Sequence, residues 1–146
     1  MLEYVSLEKL ISTSDVITLH APLFDSNYHM INRDSIAKMK DGVCIVNCGR
    51  GALIDTEALI YGIETGKVGA AGLDVLEDEL GIFHEDHRLN VLNNHQLAIL
   101  KAFPNVIVTP HTAFYTDQAV SDMVEIALKS LKSFMNNGTS QWEIQS

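Results

Sequence analysis

The chain is short of several things, and each shortage narrows the reading. Only two of its 146 residues are cysteines, Cys44 and Cys48. On an extended strand they would lie roughly 13 Å apart at ~3.3 Å per residue, beyond the ~7 Å that a disulfide spans. Two separate, reduced thiols are expected. Cations are also scarce: ten Lys and Arg against nineteen Asp and Glu leave a formal net charge of −9. A nucleic-acid surface needs clustered Lys and Arg, so that partner is disfavoured. No run approaches the ~20 apolar residues of a membrane span, and no signal-peptide core opens the chain. Neither a membrane nor secretion is expected, and the cytoplasm is the expected location. Repeats and low-complexity segments are missing too. So is a complete GxGxxG turn, because Gly49-Arg50-Gly51 begins like one but Ile54 stands where the third glycine belongs.

What is present suits one soluble domain. Apolar residues make up 47% of the chain, enough for a real core at this length. The organising stretch is Val43-Cys44-Ile45-Val46-Asn47-Cys48-Gly49-Arg50-Gly51. Its apolar, β-branched opening predicts a strand buried on both faces. Its end places one arginine between two glycines, which let the backbone turn tightly and let a ligand come close. An arginine held there offers a planar fork of donors to a carboxylate or phosphate.

Around it, strands are predicted over 16–19, 68–74 and 105–109, the first of them buried. The small residues of 68–74 suggest a helix or ligand packed tightly on that strand. Helices are predicted from Ser6 through Ile11, over 33–39 behind Asn32, from Asp55 to a stop at Gly66, and over 96–102. A long helix over 116–136 carries one apolar stripe, so one face is expected to be buried. Residues 77–95 read as a surface loop and the tail after Gly138 as loose. The fold class is therefore α/β, a parallel sheet with right-handed crossovers.

In such sheets ligands bind beyond the carboxyl ends of the strands. The polar residues gather there: His20-Ala21-Pro22, then 47–50, then 74–79, then His111. Arg50 suits an anionic group, and His111 suits general acid–base work. Spacing alone does not separate Glu79 from Glu77, Asp78 and Glu85. His84, His87 and His95 read as a hydrated loop, and no metal is expected.

Three ordered segments carry a family likeness. Residues 43–59, with Asp55-Thr56-Glu57-Ala58-Leu59 after the glycines, resemble the arginine signature of NAD-dependent D-2-hydroxyacid dehydrogenases. Gly72-Leu73-Asp74-Val75-Leu76-Glu77-Asp78-Glu79 resembles that family's glutamate segment, and 106–116 its histidine segment. The D-lactate and D-2-hydroxyisocaproate branch is the most similar. The resemblance implies that Arg50 binds the substrate carboxylate, His111 donates the proton and Glu79 holds the imidazole. A carboxylate so placed favours the charged, proton-donating ring. It implies NAD as cofactor along Ala21, Pro22, Asn27, Cys48, Gly49 and Asp74, a small 2-oxo or 2-hydroxy acid as substrate, and Phe114 beside the substrate's side chain.

The resemblance also implies an incomplete Rossmann-type domain. Residues 1–113 match the second part of the NAD-binding domain, and 114–146 a hinge and long helix returning to an absent substrate domain. The family's glycine-rich strand and ribose-binding acid are missing from the sequence. Weak NAD affinity, weak activity and association into a homodimer through an open sheet edge are therefore expected. The alternative is a non-catalytic association module, truncated or corepressor-like.

Overall fold

The computed structural model describes residues 3–83, 86 and 94–144. They divide into two compact units, 1–111 and 112–146. In the first, four parallel strands lie side by side in chain order: β1 (Val16–Leu19), β2 (Val43–Asn47), β3 (Val68–Leu73) and β4 (Val106–Val108). Ile17 faces Ile45, Ile45 faces Ala71, and Ala71 faces Val106. The connecting helices are α2 (Arg33–Lys38), α3 (Thr56–Glu64) and α4 (His95–Ala102), with α1 (Leu7–Thr13) ahead of β1.

Helix starts follow local chemistry. The side chains of Ser6, Asn32, Asp55 and Asn94 each accept a backbone N–H of the first turn they precede, satisfying donors that a helix cannot pair internally. Residues 64–66 close α3, with the Gly66 N–H on the Ile63 carbonyl and φ at +75°. The core is a layer between sheet and helices: Ile17, Leu19, Val43, Ile45, Ala71 and Leu73 from the strands against Ile36, Leu59, Ile63, Leu97 and Leu100.

Three expectations need correction. The strands alternate, and are not buried on both faces. In β1, Ile17 and Leu19 are buried while Val16 and Thr18 are exposed. In β2, Cys44 and Val46 are only half-buried, and their row continues through Gly72 to Ile107, which is 70% exposed. A continuous apolar run does not reveal whether a second layer exists to cover it. At β3 the tight helical neighbour is α3, where a Cβ on Gly62 would lie 2.9 Å from Val68 Cγ2, and a Cβ on Gly69 would also sit 2.6 Å from the Gly42 carbonyl oxygen. The two cysteines are free, as expected.

The second unit is built on α5 (Asp117–Asn137), capped by Thr116 and closed by Gly138 at φ 71°. Its stripe is not buried: Val124, Leu128, Leu131, Phe134 and Met135 are all exposed, and α5 has no buried residue. The tail is not loose throughout. Ser130 Oγ donates to Ser140 Oγ at 2.8 Å and Ser133 Oγ to the Thr139 carbonyl at 2.9 Å, folding 139–140 back on the helix. Among the described residues no helix is long and apolar enough to cross a membrane.

Candidate active site

Parallel strands in one sheet bring their carboxyl ends to one edge, and hydrogen bonds tie the ends together. Asn47 closes β2 and is buried. Its Nδ2 donates to the Arg50 carbonyl at 2.9 Å, and its Oδ1 accepts the Gly49 N–H at 3.0 Å. The Asn47 carbonyl accepts the Asp74 N–H at 2.9 Å, and the Asp74 carbonyl accepts the His111 N–H at 2.8 Å. Arg50 and His111, 61 positions apart in the chain, are thus three hydrogen bonds apart on one rim.

The glycines beside Arg50 serve close approach, though of the chain's own loops. A Cβ on Gly49 would lie 2.8 Å from the Ala21 carbonyl oxygen, and one on Gly51 only 1.9 Å from the Leu76 carbonyl carbon. Arg50 itself is exposed. One guanidinium nitrogen, Nη1, donates to the Gly49 carbonyl at 2.8 Å, and among the described residues no carboxylate pairs with it. An always-charged fork without an acidic partner is what an anionic ligand requires.

The structure separates Glu79 from its acidic neighbours. Its Oε1 lies 2.6 Å from His111 Nδ1, and its Oε2 accepts the Leu76 N–H at 3.0 Å. With the carboxylate ionised, the geometry favours the tautomer or charged form in which Nδ1 carries a proton toward it. His111 has a φ of 52°, a region few residues other than glycine adopt. Its amide is held by both the Asp74 and Thr109 carbonyls. Asp78 is exposed in the turn between Glu77 and Glu79, at φ 51°. Glu85, His84 and His87 lie outside the described residues. His95 opens α4 and is exposed.

Glu77 has a different task. Its Oε1 lies 2.6 Å from His29 Nε2, and its Oε2 accepts from both the Thr56 N–H and hydroxyl, at 2.9 and 2.7 Å. The carboxylate thereby joins the loop before α2, the start of α3 and the turn that carries Glu79. Sequence reasoning missed this network, because His29 and Thr56 stand 48 and 21 positions from Glu77. Asn47 was also missed as a brace; its one signal was an amide at the end of an apolar strand.

The remaining predicted residues are placed as follows. Ala21 and Pro22 follow the end of β1 and are exposed. Asn27 braces that loop, donating to the Pro22 carbonyl and accepting the Phe24 N–H. Cys48 is half-buried, with its N–H on the Leu19 carbonyl at 3.0 Å. Asp74 is buried and accepts the Thr109 hydroxyl. Phe114 belongs to the second unit, where its ring meets Tyr115 edge-on at 6.0 Å. Main chain at Ala21 and Gly49 is in close approach, with Asp74 at the next strand end. A glycine-rich turn to cradle the diphosphate is absent from the sequence.

An open parallel sheet with its polar residues gathered at the carboxyl rim, among them a carboxylate-bound histidine, is the arrangement of a Rossmann-like nucleotide-binding domain. The family model for the D-isomer specific 2-hydroxyacid dehydrogenase NAD binding domain matches residues 1–113, and the chain belongs to that family. It is 56% identical over 138 residues to the aromatic 2-oxoacid reductase of Clostridium sporogenes, covering 94% of this chain and 42% of that protein. A D-lactate dehydrogenase from Sporolactobacillus superposes with a TM-score of 0.92 at 40% identity, covering 99% of this chain and 43% of that one. The Aquifex aeolicus D-lactate dehydrogenase complexed with NAD and lactic acid superposes at 0.82 with 36% identity, covering 98% and 45%. The chain therefore spans under half the length of these relatives.

Proposed function

We propose that this chain is the nicotinamide-facing catalytic part of an NAD-dependent D-2-hydroxyacid dehydrogenase, reducing a 2-oxo acid to the D-2-hydroxy acid. The observation that carries this reading is the carboxylate-bound His111 sharing a rim with Arg50, which no carboxylate pairs among the described residues. Bound NADH supplies the hydride. Arg50 pairs its fork with the substrate carboxylate and draws electron density toward the keto oxygen. His111 gives its Nε2 proton to that oxygen as the carbonyl carbon is reduced, and Glu79 keeps the ring aimed through Nδ1. Ala21, Pro22, Asn27, Cys48 and Gly49 run along the cofactor, with Asp74 near the nicotinamide. The relatives' printed activities favour lactate-type and aromatic 2-oxo acids as the substrate class.

A second reading, an association module, is favoured by the exposed apolar stripe of α5. One pair of measurements separates them. The chain is assayed with NADH and either pyruvate or phenylpyruvate, with chiral analysis of the product. Binding is followed separately by NMR on adding oxamate, a 2-oxo acid mimic. Shifts at Arg50 and His111 that vanish in Arg50→Ala are expected, with slow turnover to the D product. An L product, or silence in both assays, refutes the dehydrogenase reading.

A further inference from the structure

Away from the rim, α2 and α3 enclose a cleft of about 560 Å³, within the range that small organic ligands fill. Its floor includes Ile36, Ala58 and Gly62, and Tyr61 and Arg33 form part of its wall. Lys67 and Asp41 close the end nearest the amino ends of β3 and β2, the edge opposite Arg50 and His111.

The two cations are differently engaged. Lys67 Nζ lies 2.7 Å from Asp41 Oδ1, a matched pair. Arg33 instead stands with its guanidinium carbon 4.2 Å above the Tyr61 ring, and among the described residues no carboxylate pairs with it. The ring holds the guanidinium by cation–π attraction and leaves its charge unneutralised. In a chain of net charge −9, an unmatched arginine at the wall of an apolar-floored cleft is a specific invitation to an anion.

We propose that this cleft binds a small organic anion: an acid head taken by the Arg33 fork, and a flat apolar body laid along Tyr61, Ile36 and Ala58. The site is independent of the dehydrogenase reading, because it shares no residue with the rim. Carboxylate and phosphate heads have the same recognition chemistry here, and separate probes distinguish them.

The test is an NMR titration of the isotopically labelled full chain with phenylacetate, with phenyl phosphate, and with inorganic phosphate. Saturable shifts at Arg33, Tyr61, Gly62 and Lys67 are expected with one or both aromatic acids. Inorganic phosphate, having no apolar body, is expected to bind at least about tenfold more weakly. Arg33→Ala should weaken the aromatic acid about tenfold, the scale of one lost charge-assisted contact, while thermal unfolding confirms that the variant is folded. Asp41→Asn, which releases Lys67, should tighten binding several-fold. No saturable shift with either aromatic acid would overturn the proposal, as would equal affinity in Arg33→Ala. Shifts at the cleft that depend on protein concentration alone would also overturn it, since a second copy would then be the occupant.

Discussion

At Glu77 one carboxylate serves His29, the Thr56 amide and the Thr56 hydroxyl. Replacing it by the isosteric Gln removes the charge and one acceptor oxygen while leaving the three donors in place. Glu77→Gln should therefore cost about 1–3 kcal/mol, the usual penalty for stranding partly buried donors, measured by urea unfolding. At Gly51 the constraint is steric. An added methyl would fall 1.9 Å from the Leu76 carbonyl carbon, and backbone cannot swing aside as a flexible side chain can. Gly51→Ala should destabilise by about 3 kcal/mol or more, and should displace the Leu76 amide that holds Glu79. Loss of the His111–Glu79 contact in that variant, read from the imidazole NMR signals, is the accompanying sign. Glycine at 51 was legible as a close-approach position from the sequence. That the visitor is residues 76–77 of the chain itself was not, because the two segments are distant in sequence.

Among the elements, caps do the local work. Asp55 accepts the Ala58 N–H at 3.0 Å at the start of α3, and α3 lines both the core and the anion cleft. Asp55→Ala should lower stability by about 1 kcal/mol, seen as a lower thermal midpoint with the strand signals unchanged. The bounds of β1, and the starts of β2, α1, α2 and α3, were readable because each depends on nearby residues: a polar cap, a β-branched run, a glycine. The one-residue differences at α4 and at both ends of β4 lie where ends fray. The short 3₁₀ turns at Asp25–Asn27 and Gly51–Leu53 had no periodic signal and were not anticipated.

Across the whole molecule, apolar surface is left over. The β1 edge is unpaired among the described residues, Val16 and Ile107 are exposed on one sheet face, and the stripe of α5 is exposed in the second unit. Surfaces of this kind drive association. Light scattering at micromolar concentration should give a mass above that of one chain, and Leu128→Lys with Leu131→Glu should lower it. A monomeric mass for the unmodified chain would show that the exposed stripe does not drive association.

The sequence by itself determined what short-range chemistry controls: the strands, most helix starts and the residue types at the strand ends. The direction of the sheet then followed, since alternating strands and helices leave little other than parallel order. Residue type and spacing did not show which acid holds the imidazole, because Glu77 and Glu79 are two positions apart and equally acidic; only the resemblance named Glu79, and the fold supplies the physical reason. Their fates differ only through His29, Thr56, Leu76 and His111, which the fold carries to them. The fold also decided which apolar faces are covered, because burial depends on a second layer that no strand or helix encodes in its own pattern.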